Sequence, residues 1–214
     1  MDHINLNLLS EEEVAQLSQL IERSRKIIIT CHKSPDGDAI GSVLACAEWL
    51  RLKGKDPLLV VPDMFPDFLR WLPGVEKIRR YDKHKEEIDK AFEEADTIFC
   101  LDFNATNRVN FMQQALDGAK GAKVLIDHHL EPTVEAELSI SHPEMAATCE
   151  LLFRIIWQMG DFEAISKHCA VALYCGLMTD AGAFTYNSTR SEIYYIIGQL
   201  LSKGINKDKI YRNV

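Results

Sequence analysis

Short apolar runs alternate with amphipathic segments through the first half of the chain. Four runs rich in apolar and β-branched residues predict buried strands, at 26–31, 57–61, 97–101 and 123–126. Apolar residues at helical intervals predict helices, at 11–24, 40–53, 85–94 and 108–116. Because strands that alternate with helices are typical of a mostly parallel β-sheet with helices on both faces, we predict an α/β fold.

The pattern becomes mainly helical beyond His129. One further strand is predicted at 137–141, and helices follow it at 147–159, 166–178 and 191–203. The chain contains no internal repeat, low-complexity tract or Pro/Gly/Ser-rich linker that would divide it. We therefore predict one domain over residues 1–214, which the helical segment completes.

The composition of the chain predicts a hydrophobic core and a cellular location. The 214 residues are 47% hydrophobic, which is enough for one sizeable core. The six cysteines form no CxxC pair and most lie in apolar segments, so we predict buried reduced thiols. No run approaches the roughly 20 apolar residues of a membrane-spanning helix, and residues 1–10 lack the features of a signal peptide. These observations predict a cytoplasmic protein with no membrane partner.

The formal net charge of −8 bears on the partners of the protein. Coating a nucleic-acid backbone requires clustered Lys and Arg that neutralise phosphates. An acidic chain is therefore not expected to bind long nucleic acids stably. Acidic residues gathered at one place can instead hold cations, and those cations can hold phosphate.

Metal-ligand chemistry follows the first predicted strand. His32, Asp36 and Asp38 lie within seven residues, and Gly37 lets the backbone turn tightly between the two acids. An ordinary Pro-Asp-Gly turn that caps the next helix is the alternative for Asp36. Because ligands bind at the carboxyl ends of parallel strands, the position of His32 at a strand end favours a site.

Further acids and histidines follow the later strands. Asp102 comes after the strand at 97–101, and Asp127, His128 and His129 come after the strand at 123–126. Taken alone, Asp102 could cap a helix, and Asp180 before Gly182 could simply end one. Because parallel strands place their carboxyl ends at one edge, the acids and histidines are expected to converge there. Repelling carboxylates gathered with imidazoles require cations, and this mixed ligand set favours Mn²⁺, Co²⁺ or Fe²⁺ over Mg²⁺.

These segments also resemble the motifs of a known enzyme family. His32 to Ser42, Asp102, Asp127 to His129 and Met178 to Gly182 match, in order, the four motifs of the DHH phosphoesterase superfamily. The match spans most of the chain, and its first and third motifs are highly specific. The segment Thr148-Cys149-Glu150 is similar to the small-Thr-x-Glu segment of the same family.

The resemblance implies a role for each residue of the site. One divalent ion would be held by His32, Asp36 and Asp102. The other would be held by Asp38, Asp102, His128 and Asp180, so that Asp102 bridges the two. His129 would contact the substrate phosphate, and Asp127 would orient a neighbouring imidazole. With Asp102 and His128, these two residues complete the catalytic set, and the expected cofactor is two Mn²⁺ ions, with Mg²⁺ or Co²⁺ as alternatives.

The resemblance is strongest to the branch that degrades short oligonucleotides, linear dinucleotides and nucleoside 3',5'-bisphosphates, sometimes called oligoribonuclease or nanoRNase proteins. It implies a hydrolase of phosphate esters that uses a water activated by two metals. Inorganic pyrophosphatase or exopolyphosphatase activity is the enzymatic alternative. A metal-dependent nucleotide-binding regulatory module without turnover is an alternative of another class.

Three residues near the expected site are candidate substrate contacts. Arg108 follows Asp102, and Ser188 and Arg190 follow Asp180; a solvated surface role is the alternative for each. Two features depart from the family pattern. Ala181 stands where many relatives have Thr, and relatives of this branch continue beyond the position of Val214 into a C-terminal substrate-binding domain. We therefore expect residues 1–214 to represent the catalytic domain or a natural short form.

Overall fold

Residues 4–214 are described by a computed structural model, in which they contain a six-stranded sheet with every strand parallel to its neighbours. The strands are β1 (Ile27–Thr30), β2 (Leu58–Val61), β3 (Arg79–Arg80), β4 (Thr97–Leu101), β5 (Ala122–Asp127) and β6 (Leu138–Ser141). Their order across the sheet is β3-β2-β1-β4-β5-β6. The chain therefore builds one side of the sheet outward from β1 and then returns to build the other side from β4.

Eight α-helices accompany the sheet in the described part of the chain. They are α1 (Glu11–Arg23), α2 (Gly37–Leu52), α3 (Lys85–Glu94), α4 (Gln113–Gly118), α5 (Thr148–Gln158), α6 (Lys167–Asp180), α7 (Ser191–Ser202) and α8 (Lys207–Asn213). Four short 3₁₀ segments lie between them, at Asp67–Leu69, Val75–Lys77, Thr106–Met112 and Phe162–Ala164.

The sheet has a hydrophobic core on each face because its side chains alternate in direction. Ile29 and Phe99 pack on one face with buried residues of α1, α2, α5, α6 and α7. Ile28 and Ile98 pack on the other face with buried residues of α3 and α4. The first core is the larger, and it brings α2, α5 and α6 together beside the carboxyl end of β1.

Two glycines allow α2 and α6 to pack closely. A Cβ atom at Gly41 of α2 would lie 2.6 Å from the carbonyl oxygen of Ala172 in α6. A Cβ atom at Gly176 of α6 would clash with Cys149 Sγ and would lie 2.9 Å from Asp38 Oδ1. The close approach of these helices therefore depends on the absence of side chains at both positions.

Most of the predicted elements are confirmed, and a capping box of Ser10 and Glu13 begins α1. The single helix predicted at 108–116 is wrong. Its residues form the end of a 3₁₀ segment and the start of α4, because Asn110 has non-helical angles (φ 53°, ψ −126°). Helix α2 begins at Gly37, three residues before the predicted start, because the Asp36 side chain caps it. The short strand β3 and helix α8 were not predicted.

Two findings in residues 4–214 concern the predictions drawn from composition. All six cysteines are buried and free, as predicted. No helix in this part of the chain combines the length and the apolar character needed to cross a membrane. Residues 1–3 of the segment that lacks signal-peptide features lie outside the described residues, and the cytoplasmic location stays a prediction.

Candidate metal centre

The predicted site residues meet at the point where the strand order reverses. Connections from β1 and β4 lead to opposite sides of the sheet, so a crevice lies between the carboxyl ends of these two strands. His32 follows β1 and Asp102 follows β4, which places both side chains at the crevice. His32 Nε2 lies 3.4 Å from Asp102 Oδ2 and 3.7 Å from Asp36 Oδ2. We call His32, Asp36 and Asp102 the loop cluster.

Backbone contacts fix the loop that carries this cluster. The backbone N–H of Lys33 donates to Arg108 O (2.7 Å), and that of Ser34 donates to Asp63 Oδ1 (2.6 Å). Asp36 Oδ1 accepts from the N–H groups of Asp38 and Ala39, both at 3.0 Å, and so caps α2. Its other carboxylate oxygen remains directed towards His32.

A second group of ligand atoms lies deeper between the helices. Asp38 in the first turn of α2, His128 after β5 and Asp180 at the end of α6 form what we call the helix cluster. His128 Nε2 lies 3.4 Å from Asp180 Oδ2 and 4.0 Å from Asp38 Oδ2. It also lies 3.5 Å from Asp102 Oδ1. Asp102 therefore presents one oxygen to each cluster.

The backbone of Asp102 is unusual for a residue with a side chain. Its φ of 64° lies in the left-handed region, which costs energy except for Gly and, to a smaller extent, Asn and Asp. Its N–H donates to Ile126 O of β5 (3.1 Å), and the residue is 2% exposed. This strained conformation turns the carboxylate into the crevice between the two clusters.

Each histidine of the centre has its Nδ1 atom beside an oxygen acceptor. His32 Nδ1 lies 2.7 Å from Lys33 O, and His128 Nδ1 lies 3.3 Å from Met145 O. Because a carbonyl only accepts, both Nδ1 atoms carry a proton, and Nε2 is the atom that can bind a metal. His129 Nδ1 donates to Asp127 Oδ1 (2.7 Å), so the fully buried Asp127 orients His129 rather than a ligand of either cluster.

Crowded carboxylates make the centre electrostatically unfavourable without cations. Burial, together with the charges of Asp102 and Asp180, holds the pKa of Asp38 well above its usual range. Burial and the negative charges of Asp102 and Asp36 raise the pKa of Asp180 to about 6, because together they outweigh the attraction of His128. Burial acts to lower the pKa of His32, but hydrogen bonds with Asp102 and Asp36 outweigh it and raise this pKa to about 10.

The donor set fits divalent cations. Each cluster offers three ligand atoms that lie within 4.8 Å of one another, and each combines carboxylates with an imidazole. Cations would relieve the repulsion that raises the pKa of Asp38 and Asp180. Both clusters therefore have donor sets that could hold a divalent cation, and Asp102 of the loop cluster also lies 3.5 Å from His128 of the helix cluster.

Sequence reasoning missed the contacts that support the clusters from α5. Thr148 Oγ1 donates to Asp102 Oδ1 (2.9 Å), and the N–H groups of Thr148 and Cys149 donate to Asp38. The completely buried Glu150 accepts from Arg154, at 2.9 and 3.1 Å, and from Ala146 N at 2.8 Å. The only signal in the sequence was the resemblance of Thr148-Cys149-Glu150 to a family segment, which carried no information about partners.

The structure separates the three candidate substrate contacts. Arg190 forms an ion pair with Glu150 (2.6 Å) and lies beside Met145, whose carbonyl meets His128. Arg108 has a buried Nε atom without a hydrogen-bond partner, and its charge acts on His129. Ser188 is buried and donates to Phe184 O, so it is not free to bind substrate in this conformation.

Comparisons with known proteins agree with this geometry. A profile of the DHH family, N-terminal domain, matches residues 26–177. The chain is 29% identical over 192 residues to the bifunctional oligoribonuclease and PAP phosphatase NrnA of Thermus thermophilus, which covers 90% of this chain and 54% of that protein. The crystal structure of an exopolyphosphatase-related protein from Bacteroides fragilis is 48% identical, with a TM-score of 0.95 over 97% of this chain and 61% of the other.

A more distant structure shares the fold. The exonuclease RecJ bound to manganese has a TM-score of 0.53 and 16% identity, over 93% of this chain and 49% of that one. At this identity the likeness concerns the fold alone. The chain spans about half the length of the curated relative NrnA.

Proposed function

Because the chain belongs to the DHH family, we propose that it hydrolyses phosphate esters of small nucleotides with two divalent metal ions, of which Mn²⁺ is the first choice and Mg²⁺ or Co²⁺ the alternatives. The substrates we propose are short oligonucleotides, linear dinucleotides and nucleoside 3',5'-bisphosphates. The observation that carries the proposal is the pair of clusters at the edge of the sheet, between which Asp102 directs one carboxylate oxygen to His32 and the other to His128.

The protein residues would divide the work of holding the ions. His32, Asp36 and Asp102 would hold one ion, and Asp38, Asp102, His128 and Asp180 would hold the other. When bound, such a pair supplies a water of lowered pKa and neutralises charge on the phosphoryl oxygens. Asp38 and Asp102 are almost fully buried, so water screens their charges less than it screens the charge of the exposed Asp36.

We assign His129 to the substrate rather than to the ions. A hydrogen bond with Asp127 raises the pKa of His129 and outweighs burial and the charge of Arg108, which act to lower it. Asp127 occupies Nδ1, so that the other nitrogen, Nε2, is available to donate to a phosphate oxygen. Asp127 would thus act through His129 as a positioning residue.

Two arginines could contact the substrate, and their environments differ. Arg108 lacks an acidic partner within salt-bridge distance among the described residues, and its Nε makes no hydrogen bond. We propose that the guanidinium group of Arg108 contacts a phosphate of the substrate. Arg190 is held by Glu150, which also bonds to Arg154, so one buried carboxylate serves two guanidinium groups. We propose Arg190 as a second contact with the substrate.

A second candidate function is hydrolysis of pyrophosphate or polyphosphate. The 48% identical neighbour is described as exopolyphosphatase-related, and the same two clusters would serve that reaction. We favour the nucleotide reaction because NrnA is named for an activity on oligoribonucleotides, whereas the 48% identical neighbour is named only as related to exopolyphosphatases. The third reading, a nucleotide-binding module without turnover, would leave both clusters without a catalytic use.

A substrate panel with added Mn²⁺ tests these readings. A dinucleotide, a nucleoside 3',5'-bisphosphate, pyrophosphate and a short polyphosphate would be incubated with the wild-type chain and with Asp102→Asn as the control. We expect release of mononucleotide or inorganic phosphate from the first two compounds by the wild-type chain alone. Faster hydrolysis of pyrophosphate or polyphosphate would favour the second candidate. Tight nucleotide binding without hydrolysis of any compound would support the binding module.

A further inference from the structure

Helix α5 begins without a cap from its own sequence. The residue before it, Ala147, has no side chain that can accept a hydrogen bond from the first turn. The first N–H groups of a helix require partners from elsewhere. Here the N–H of Thr148 donates to Asp38 Oδ2 (2.6 Å) and that of Cys149 donates to Asp38 Oδ1 (2.9 Å). The carboxylate of Asp38, from a different helix, therefore caps α5.

This arrangement stabilises a carboxylate that is 1% exposed. Two backbone donors and the positive end of α5 face the negative charge of Asp38. Each carboxylate oxygen receives one N–H, so each keeps a further lone pair for another partner. Asp38 is thus fixed in place by the backbone of α5 and still able to serve the helix cluster.

The side chain of Thr148 reaches the other essential carboxylate. Thr148 Oγ1 lies 2.9 Å from Asp102 Oδ1, and both residues are almost fully buried. Asp102 Oδ1 also faces His128 Nε2, while Asp102 Oδ2 faces His32 Nε2. The hydroxyl therefore opposes rotation of the carboxylate and keeps one oxygen directed to each cluster. One residue contacts Asp38 through its backbone and Asp102 through its side chain.

We propose that Thr148 is a positioning residue that sets how Asp102 bridges the two clusters and how tightly the helix cluster binds its ion. The inference rests on the proposed two-metal function and adds a residue that contacts neither the ions nor the substrate. Residues that hold metal ligands in this way commonly change metal affinity by about 10- to 100-fold when they are replaced.

Removal of the hydroxyl with little change of shape tests the role of Thr148. Thr148→Val keeps the backbone donors to Asp38 and loses the donor to Asp102, whereas Thr148→Ser keeps both. Calorimetric titration of the metal-free proteins with Mn²⁺ should show that wild type and Thr148→Ser each bind two ions per chain. Thr148→Val should bind the second ion at least about tenfold more weakly.

Electron paramagnetic resonance of the Mn²⁺-loaded proteins gives a readout of the bridge itself. Wild type and Thr148→Ser are expected to show an exchange-coupled pair of ions, and Thr148→Val a weaker coupling or uncoupled Mn²⁺. If Thr148→Val does not fold, Thr148→Ala replaces it. Unchanged stoichiometry, affinity and coupling in the hydroxyl-free variant would overturn the proposal.

The proposed function can fail separately from this inference. A wild-type chain with a coupled Mn²⁺ pair and no hydrolysis of any phosphate compound would contradict the function. The spectra of the Thr148 variants would still decide whether the hydroxyl sets the bridge. A wild-type chain that binds a single ion would overturn both proposals.

Discussion

The loop cluster and the helix cluster are built in different ways. In the loop cluster, His32 and Asp36 lie four residues apart, and Asp36 caps its own helix with a side chain that is 56% exposed. In the helix cluster, the ligands come from α2, the end of β5 and α6, and Asp38 depends on donors from α5. Two members of the loop cluster are therefore local in the sequence, and the pairing of β1 with β4 adds Asp102, whereas the helix cluster exists only when three helices pack correctly.

Asp102 is the residue that both clusters need, so its replacement should have the largest effect. We expect Asp102→Asn to fold normally and to lose hydrolysis by more than about a hundredfold, because an amide cannot bridge two cations. Steady-state rates with the best substrate, together with metal analysis, check this. Turnover close to wild type would contradict the two-metal proposal.

The two adjacent histidines should separate metal binding from substrate binding. His128→Ala removes a ligand of the helix cluster, so elemental analysis should find about one Mn²⁺ per chain instead of two. His129→Ala should keep both ions and lose roughly 10²-fold in kcat/KM, because Nε2 of His129 no longer meets the substrate phosphate. Loss of an ion only in His129→Ala would reverse this assignment.

Close packing of α6 against Asp38 gives a way to damage the helix cluster alone. A methyl group at Gly176 would displace Asp38 Oδ1 or Cys149 Sγ. We expect Gly176→Ala to lower the free energy of unfolding by about 1–3 kcal/mol and to weaken one of the two Mn²⁺ sites. Chemical denaturation and Mn²⁺ titration measure the two effects.

Gly198 in α7 is a matched control for this substitution. A Cβ atom there would meet nothing within 4 Å, so Gly198→Ala should leave both Mn²⁺ sites intact and stabilise the helix by up to about 1 kcal/mol. Equal metal affinities in Gly176→Ala and Gly198→Ala would show that the helix cluster tolerates movement of α6.

The difference between the clusters also explains which features could be predicted from the sequence. Strand and helix periodicity predicted the sheet, and the rule for parallel strands predicted that His32, Asp102 and His128 lie at one edge of it. The local cluster could be predicted because its ligands lie near strand ends in the chain. The contacts of Thr148 could not be predicted, because they join residues 46 and 110 positions apart through helix packing.

The errors have the same origin. Local apolar spacing predicted one helix at 108–116, but the helix is interrupted because Asn110 has a positive φ. The interruption lies where the loop after β1 meets the loop after β4, since the N–H of Lys33 donates to Arg108 O there. Arg190 was predicted as a substrate contact from its position after Asp180, and its ion pair with Glu150 could not be predicted from that position. Apolar periodicity indicates which face of a segment is buried, but it does not indicate which distant residues its side chains contact.

The smallest expected effect concerns the stability of the metal-free chain. The pKa of Asp180 is raised from 3.8 to about 6, so between these pH values the folded state holds a proton that the unfolded chain has lost. The free energy of unfolding should therefore fall as the pH rises from about 4 to about 6. The pKa of His32, raised from 6.5 to about 10, acts in the same direction between pH 6.5 and 10.

Asp180→Asn isolates the contribution of the helix cluster, because an amide carries no charge at any of these pH values. With a chelator present, its melting temperature should match that of wild type near pH 4 and exceed it by several degrees at pH 8. Added Mn²⁺ should reverse the order at pH 8, since the wild-type carboxylate binds the ion and the ion stabilises the folded state. Melting curves at both pH values, with chelator and with Mn²⁺, check this reversal. A variant that stays more stable than wild type in Mn²⁺ would mean that Asp180 does not hold the ion. The helix cluster would then consist of Asp38 and His128 with Asp102 alone.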